Sequence, residues 1–77
     1  MTEHHLKIEE QYLDKLHDGV KTAEVRLNDR DYQVGDLLVF YNSHQDQDEK
    51  FEITHVHSGL GMKENYVVLS IKWHSWG

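Results

Sequence analysis

The amino-acid sequence predicts a small, mainly β (α+β) domain: a β-barrel of about five strands with one helix near the N-terminus. Five short segments carry apolar residues at alternate positions or in unbroken runs, which is typical of strands. One segment after the first of these has the spacing of an amphipathic helix. Short strands in a chain of 77 residues favour a closed barrel, because closure leaves no strand edge open to aggregation. An open α+β sheet is the structural alternative.

Length and composition limit the number of domains and the compartment. A chain of 77 residues has room for a single hydrophobic core, so we expect one domain over residues 1–77. It contains no cysteine, which excludes disulfides and thiolate chemistry. No apolar stretch approaches the roughly 20 residues that span a bilayer, and the polar N-terminus lacks the apolar segment of a signal peptide. These features favour a cytoplasmic protein with no membrane contact.

The formal net charge of −6 restricts the class of partner. Proteins that bind nucleic acid draw affinity from Lys and Arg side chains that neutralise phosphates. Here 8 Lys and Arg are outnumbered by 14 Asp and Glu, which excludes a general polyanion binder. Binding of RNA or DNA would require the cations to be concentrated on one face.

The first part of the chain is predicted to form a strand and then a helix. Apolar side chains alternate over residues 5–8, which predicts a short strand. Over residues 9–18 the period changes to that of a helix with one apolar stripe. The stripe consists of Tyr12, Leu13 and Leu16. Gly19 follows as the residue that ends the helix in the left-handed conformation, which glycine adopts without steric penalty.

The rest of the chain is predicted to form four strands. The strand over residues 22–27 has one apolar face, made of Ala23, Val25 and Leu27. Residues 37–41 are apolar on both faces, so this strand should run through the interior. The other two strands are expected over residues 50–57 and 66–73. The connections are rich in Asn, Asp, Gly and other turn-forming or polar residues, and they lie at 28–31, 43–49 and 58–61.

Three blocks of sequence carry a resemblance to a known family. They are GVKTAEVR at 19–26, NDRDYQVGD at 28–36 and GLGMKENYVVLSI at 59–71. In this order after a helix they resemble an ASCH-type domain of the PUA-like superfamily, and more narrowly a bacterial and phage family of small ASCH-like proteins of unknown function. The resemblance implies a PUA-like β-barrel with a polar cleft between the first helix and the barrel. It also implies a ligand for that cleft, RNA or a nucleotide-like molecule.

The first block supplies chemistry suited to such a cleft. Glu24 and Arg26 are two residues apart on one strand, so both project from the face opposite the apolar row. The planar fork of Arg26 matches a carboxylate, a phosphate or a base edge. Lys21 follows the C-terminus of the helix, where the helix dipole favours a cation. We therefore predict that Lys21, Glu24 and Arg26 bind the ligand. The alternative for this charged row is an ordinary solvated strand face.

The second block extends the predicted ligand site. Its further members are Asn28, Asp29, Arg30 and Tyr32. Asn and Asp are common in turns for backbone reasons, whereas Arg30 would add a cation to the rim. Tyr32 is the preferred residue for stacking on an unpaired base. Of the two tryptophans, Trp73 is expected to pack with the apolar row of its own strand, and Trp76 is expected to be exposed.

Two other functions are compatible with the sequence. Some ASCH relatives are similar to small amidohydrolases that remove an acyl group from modified cytidine by means of a Lys, a Thr and a Glu. The resemblance then implies Lys21 as the base and Glu24 as its acid/base partner. Glu24 stands where that pattern, GRKTxTxR, has its second threonine, and residues 67–71 carry no acid. The other alternative is a protein-interaction domain that uses an exposed sheet edge or the tail around Trp76.

No cofactor and no metal are expected. His55 and His57 share a strand face at a spacing that suits chelation, but no third ligand is identifiable at helical or strand spacing. His4 and His5 are interpreted as part of a polar terminus. None of the serines lies in a recognisable nucleophile turn.

Overall fold

The computed structural model describes residues 1–19, 22–41, 48–59, 61 and 64–76 of the chain. It contains five strands and one helix in these residues. In chain order the elements are β1 (Glu3–Lys7), α1 (Glu10–His17), β2 (Ala23–Leu27), β3 (Leu37–Tyr41), β4 (Glu49–His57) and β5 (Tyr66–Trp76). The mainly β architecture and the single early helix expected from the sequence are confirmed.

The five strands form one curved sheet with the order β1-β3-β4-β5-β2. β1 and β3 run parallel, and the other neighbouring strands run antiparallel. Within the described residues β1 and β2 are the two ends of the order, so the sheet is a half-barrel with a seam between these strands. At the seam the Nη1 of Arg30 donates a hydrogen bond to the carbonyl oxygen of His5 at 2.9 Å. A side chain that follows β2 thus bonds a backbone group of β1.

The hydrophobic core lies on the concave side of this sheet, under α1. Residues 37–40 of β3 are all buried, which confirms that this strand runs through the interior. Phe40 and Phe51 meet edge to face, with ring centroids 5.7 Å apart. The buried core cluster comprises Leu6, Ile8, Leu13, Leu16, Tyr32, Leu38, Phe40, Phe51, Ile53, Val67, Leu69 and Ile71.

The helix α1 matches the predicted segment to within one residue at each end. Leu13 and Leu16 are buried as expected, whereas Tyr12 at the edge of the same stripe is 42% exposed. Gly19 has φ +76° and its N–H donates to the carbonyl oxygen of Leu16, as expected for the residue that ends the helix. No helix among the described residues is long and apolar enough to cross a bilayer.

The two rows of side chains on β2 differ in burial, and the charged row is the less exposed one. Val25 is 59% exposed and Leu27 48% exposed, whereas Glu24 is only 5% exposed. The cause is the register with β5, in which Glu24 lies opposite Leu69 and Arg26 opposite Val67. Both of those β5 residues point into the core. The charged row of β2 therefore faces the interior of the half-barrel, and its apolar row faces outward.

The expectation that Trp73 packs into the core is wrong. Its side chain is 46% exposed, although it shares a strand face with the buried Ile71. β5 extends as far as Trp76, and beyond Ile71 the described residues pair it only with β4. Trp73 instead meets the 50% exposed Trp76 edge to face, with ring centroids 6.3 Å apart.

A buried cluster of polar groups forms hydrogen bonds between β1 and the turn before β3. The Nε2 of His4 lies 2.8 Å from Oδ2 of Asp36, and the His4 side chain is 6% exposed. The backbone N–H groups of Thr2 and Gln33 donate to the same carboxylate at 3.0 Å and 3.2 Å. Burial alone would raise the pKa of Asp36, but the hydrogen bonds with His4, Thr2 and Gln33 outweigh it, and the pKa lies below its ordinary value. Interpreting His4 as part of a polar terminus was therefore wrong.

The connections are described only in part. β4 begins at Glu49, which is 2% exposed and which the sequence analysis placed in the preceding loop. The remaining residues predicted for that loop lie outside the described residues except Asp48, and so does Leu60 in the connection before β5.

Candidate functional site

A cleft lies between α1 and β2, and we call it the helix-strand cleft. Its volume is about 320 Å³. Its lining residues are Lys7, Ile8, Glu9 and Tyr12 on the side of β1 and α1, and Glu24, Val25 and Arg26 on the side of β2. The cleft therefore lies at the seam between the two ends of the sheet.

Two of the three residues predicted to bind a ligand meet in this cleft. The Nε of Arg26 donates to Oε2 of Glu24 at 3.1 Å. The Glu24 side chain is 7% exposed and the Arg26 side chain 26% exposed, so the carboxylate lies at the base of the pair and the guanidinium nearer to solvent. The Arg26 guanidinium carbon also lies 5.9 Å from the centroid of the Phe40 ring. Phe40 thus supports the arginine from the core side.

Lys21, the third predicted member, lies outside the described residues. Its neighbour Thr22 is exposed and accepts a hydrogen bond from the backbone N–H of Ile71 at 3.0 Å through its carbonyl oxygen. The pairing of β2 with β5 therefore begins at this point of the chain.

The predicted rim residues adjoin a second, smaller hollow on the other side of Arg26. It has a volume of about 110 Å³. Its lining residues are Leu6, Arg26, Leu27, Asp29, Arg30 and Tyr32. The Nε of Arg30 lies 3.9 Å from Oδ1 of Asp29, and both side chains are about half exposed. Asn28 lines neither hollow, and its backbone N–H donates to the carbonyl oxygen of Asn65 at 2.7 Å. This contact is typical of a turn residue, and ligand binding by Asn28 stays a prediction.

The proposal of Tyr32 as a stacking residue is wrong. Tyr32 is 4% exposed and belongs to the core cluster, and its ring centroid lies 4.7 Å from that of His4. Burial raises the pKa of its hydroxyl, with the nearby Arg30 acting in the opposite direction. A ring packed in this way does not offer a free face to a base.

The structure adds two residues to the candidate site that the sequence analysis did not select. Tyr12 lines the helix-strand cleft with a partly exposed ring, and Lys7 contributes a cation from the end of β1. The sequence did contain a signal for Tyr12, because it lies at the border of the apolar helical stripe. A side chain at such a border contacts the core on one side and solvent on the other. For Lys7 the sequence contains no such signal.

Histidine pairs do not form a metal centre in the part of the chain that the structure describes. His55 and His57 are both exposed on β4. No group of three or more His, Asp or Glu side chains among these residues is placed to hold a metal ion.

One comparison with known proteins identifies a family, and its description assigns no activity. A search among curated proteins finds no match for this chain. A family model described as "Domain of unknown function (DUF3850)" matches residues 3–71. This match runs from β1 to Ile71 in β5 and includes both walls of the helix-strand cleft. The chain therefore belongs to the DUF3850 family.

Proposed function

We propose that the helix-strand cleft binds a nucleotide or a single unpaired base of RNA, and that the protein is a binding module and not an enzyme. The observation that carries this proposal is the Glu24–Arg26 pair, which is turned toward the interior of the half-barrel and opens into a cleft. We further propose that the half-barrel is of the ASCH and PUA-like type and works in the cytoplasm.

The groups in the cleft have the chemistry that a base requires. A carboxylate accepts hydrogen bonds from an exocyclic amino group, and a guanidinium donates to ring nitrogens, to carbonyl oxygens or to phosphate. The ring of Tyr12 provides an aromatic surface on the opposite wall. A volume of about 320 Å³ falls at the lower end of the range for small-molecule sites and suits a mononucleotide.

Stability alone does not account for the charged pair. Removing a carboxylate from water carries a penalty of several kcal/mol, and apolar residues of similar volume often replace a buried ion pair at no loss of stability. Glu24 and Arg26 lie on the core face of β2, opposite Leu69 and Val67, where apolar side chains would pack. The presence of a charged pair at such a place supports a role in recognition.

The charge around the cleft favours a small ligand over a long RNA. Glu9 lines the cleft itself, and an acidic group at the start of α1 adjoins it. This group consists of Glu9, Glu10 and Asp14. Successive phosphates of a long strand would meet these carboxylates, so we expect one nucleotide, or one base at a time, to enter.

Titration calorimetry with the four ribonucleoside monophosphates and with short single-stranded RNAs tests the proposal. We expect binding at low salt that Arg26→Ala weakens at least tenfold. Lys72→Ala is the matched control, because it removes the same charge from an exposed position of β5 outside the cleft. Failure of every ligand to bind at low salt, or equal binding by Arg26→Ala and the wild type, would rule the proposal out. Hydrolysis of an acylated cytidine by the protein would contradict its non-catalytic part.

A further inference from the structure

We propose that the backbone of Val25, at the free edge of β2, hydrogen-bonds the Watson–Crick edge of the base in the helix-strand cleft. The inference rests on the proposed function and adds the group that reads the ligand. It makes the site selective for unpaired bases, because a base within a duplex has this edge occupied.

The hydrogen bonds at the two ends of β2 show which of its residues face β5. The N–H of Ile71 donates to the carbonyl oxygen of Thr22, and the N–H of Asn28 donates to that of Asn65. In an antiparallel pair, residues whose N–H and C=O point toward the partner alternate with residues whose groups point away. The backbone N–H and C=O groups of the even-numbered residues of β2 therefore point toward β5, and those of the odd-numbered residues point toward the free edge.

Val25 is the odd-numbered residue at the centre of β2, and it lines the cleft between Glu24 and Arg26. Leu27 is the next odd-numbered residue of the strand, and its carbonyl oxygen accepts a hydrogen bond from the N–H of Asp29 at 2.9 Å. Its bonding within the turn agrees with a carbonyl group that points away from β5. In the sheet formed by the described residues, β2 has β5 as its neighbour on one side and none on the other. The N–H and C=O of Val25 therefore point into the space of the cleft.

These two groups match a feature that all nucleobases share. In an extended residue the N–H and the C=O lie side by side and point in the same direction. The Watson–Crick edge of each base likewise carries a donor next to an acceptor, such as the amino group and ring nitrogen of cytosine or adenine. A base can thus form two hydrogen bonds with Val25 as an additional strand would, while Glu24 and Arg26 lie on either side.

The variant Val25→Pro tests the inference, because proline removes the outward N–H and is tolerated in an edge strand where that N–H faces away from the ladder. Ala23→Pro is the control, since it places proline on the same free edge of β2 outside the lining of the cleft. We expect Val25→Pro to weaken the binding of nucleoside monophosphates about 3- to 10-fold and Ala23→Pro to change it less than twofold. Undiminished binding by a folded Val25→Pro would overturn the backbone contact and leave nucleotide binding in place. Absence of binding by the wild type would overturn both.

Amide hydrogen exchange of the wild-type protein provides a second test that does not depend on the folding of a variant. In the free protein the Val25 amide should exchange faster than those of Glu24 and Arg26, whose N–H groups bond to β5. Saturating cytidine monophosphate should slow exchange at Val25. Slow exchange of Val25 without ligand, or no change on binding, would contradict the inference.

Discussion

At the scale of single residues, the Glu24–Arg26 pair carries most of the functional argument. The pattern of charges at 24 and 26 predicted that the two side chains share a strand face, and they do. It could not predict which face points inward, because alternation marks two faces without assigning either to the core. The register with β5 makes that assignment. Tyr32 and His4 illustrate the same limit, since their polar groups suggested exposure and partners in the fold bury them.

The Glu24–Arg26 ion pair should contribute less to the free energy of unfolding than two apolar side chains would in its place. We expect Arg26→Ala to lower the free energy of unfolding by about 1–3 kcal/mol, because it removes a partner of a carboxylate that stays buried. The double variant Glu24→Leu/Arg26→Leu should lose less than this and should fail to bind nucleotide. Chemical denaturation measures the first effect and calorimetric titration the second. A double variant less stable than Arg26→Ala would show that the pair stabilises the fold.

Asp36 should make the fold sensitive to acid. Its pKa is lower in the folded chain than in the unfolded chain, because its hydrogen bonds favour the ionised form. The stability it contributes is therefore complete above the unfolded value of about 4 and is lost as the pH falls through the folded pKa. Denaturation curves between pH 7 and pH 2 should show this loss for the wild type. Asp36→Asn should be less stable at pH 7, with a smaller decrease on acidification. An equal decrease in both proteins would contradict this role of Asp36.

At the scale of helices and strands, more of the structure could be predicted from the sequence than at the candidate site. The helix, the interior strand β3 and the positions of the five strands along the chain all followed from periodicity and turn residues. The extension of β5 to Trp76 did not, because its last residues gain their structure from pairing with β4 and not from their own pattern. The exposure of Trp73 has the same origin, since the number of strands that cover a position is a property of the sheet.

Substitutions of Gly19 test whether a left-handed residue ends α1. Its φ of +76° lies in the left-handed region, and a Cβ added there would meet no atom of the described residues within 4 Å apart from its immediate neighbours along the chain. The effect of Gly19→Ala is therefore one of backbone conformation alone, and we expect a loss of about 1 kcal/mol in the free energy of unfolding. Gly19→Asn should lose less, because Asn tolerates this conformation better. Thermal denaturation of the three proteins measures both. An unchanged melting temperature for Gly19→Ala would contradict the left-handed assignment.

At the scale of the whole molecule, the seam between β1 and β2 is the feature on which the proposed function depends. A closed barrel was expected from the sequence, and the structure is a half-barrel compatible with that architecture, in which β1 and β2 are the two ends of the sheet within the described residues. The backbone of β2, the Glu24–Arg26 pair and the half-exposed Tyr12 line one cleft at this seam. In a closed barrel, backbone hydrogen bonds between β1 and β2 would occupy this place. Strand count and patterning do not reveal such a gap, because closure depends on the curvature of the sheet and on what the helix covers.

The most direct test of nucleotide binding in the helix-strand cleft is an NMR titration of ¹⁵N-labelled protein with cytidine monophosphate, read as chemical-shift changes along the chain. We predict that the largest changes fall at Tyr12, Glu24, Val25 and Arg26, and that the exposed Trp73 and Trp76 stay unaffected. Changes centred on the two tryptophans, or none at saturating ligand, would contradict binding in this cleft.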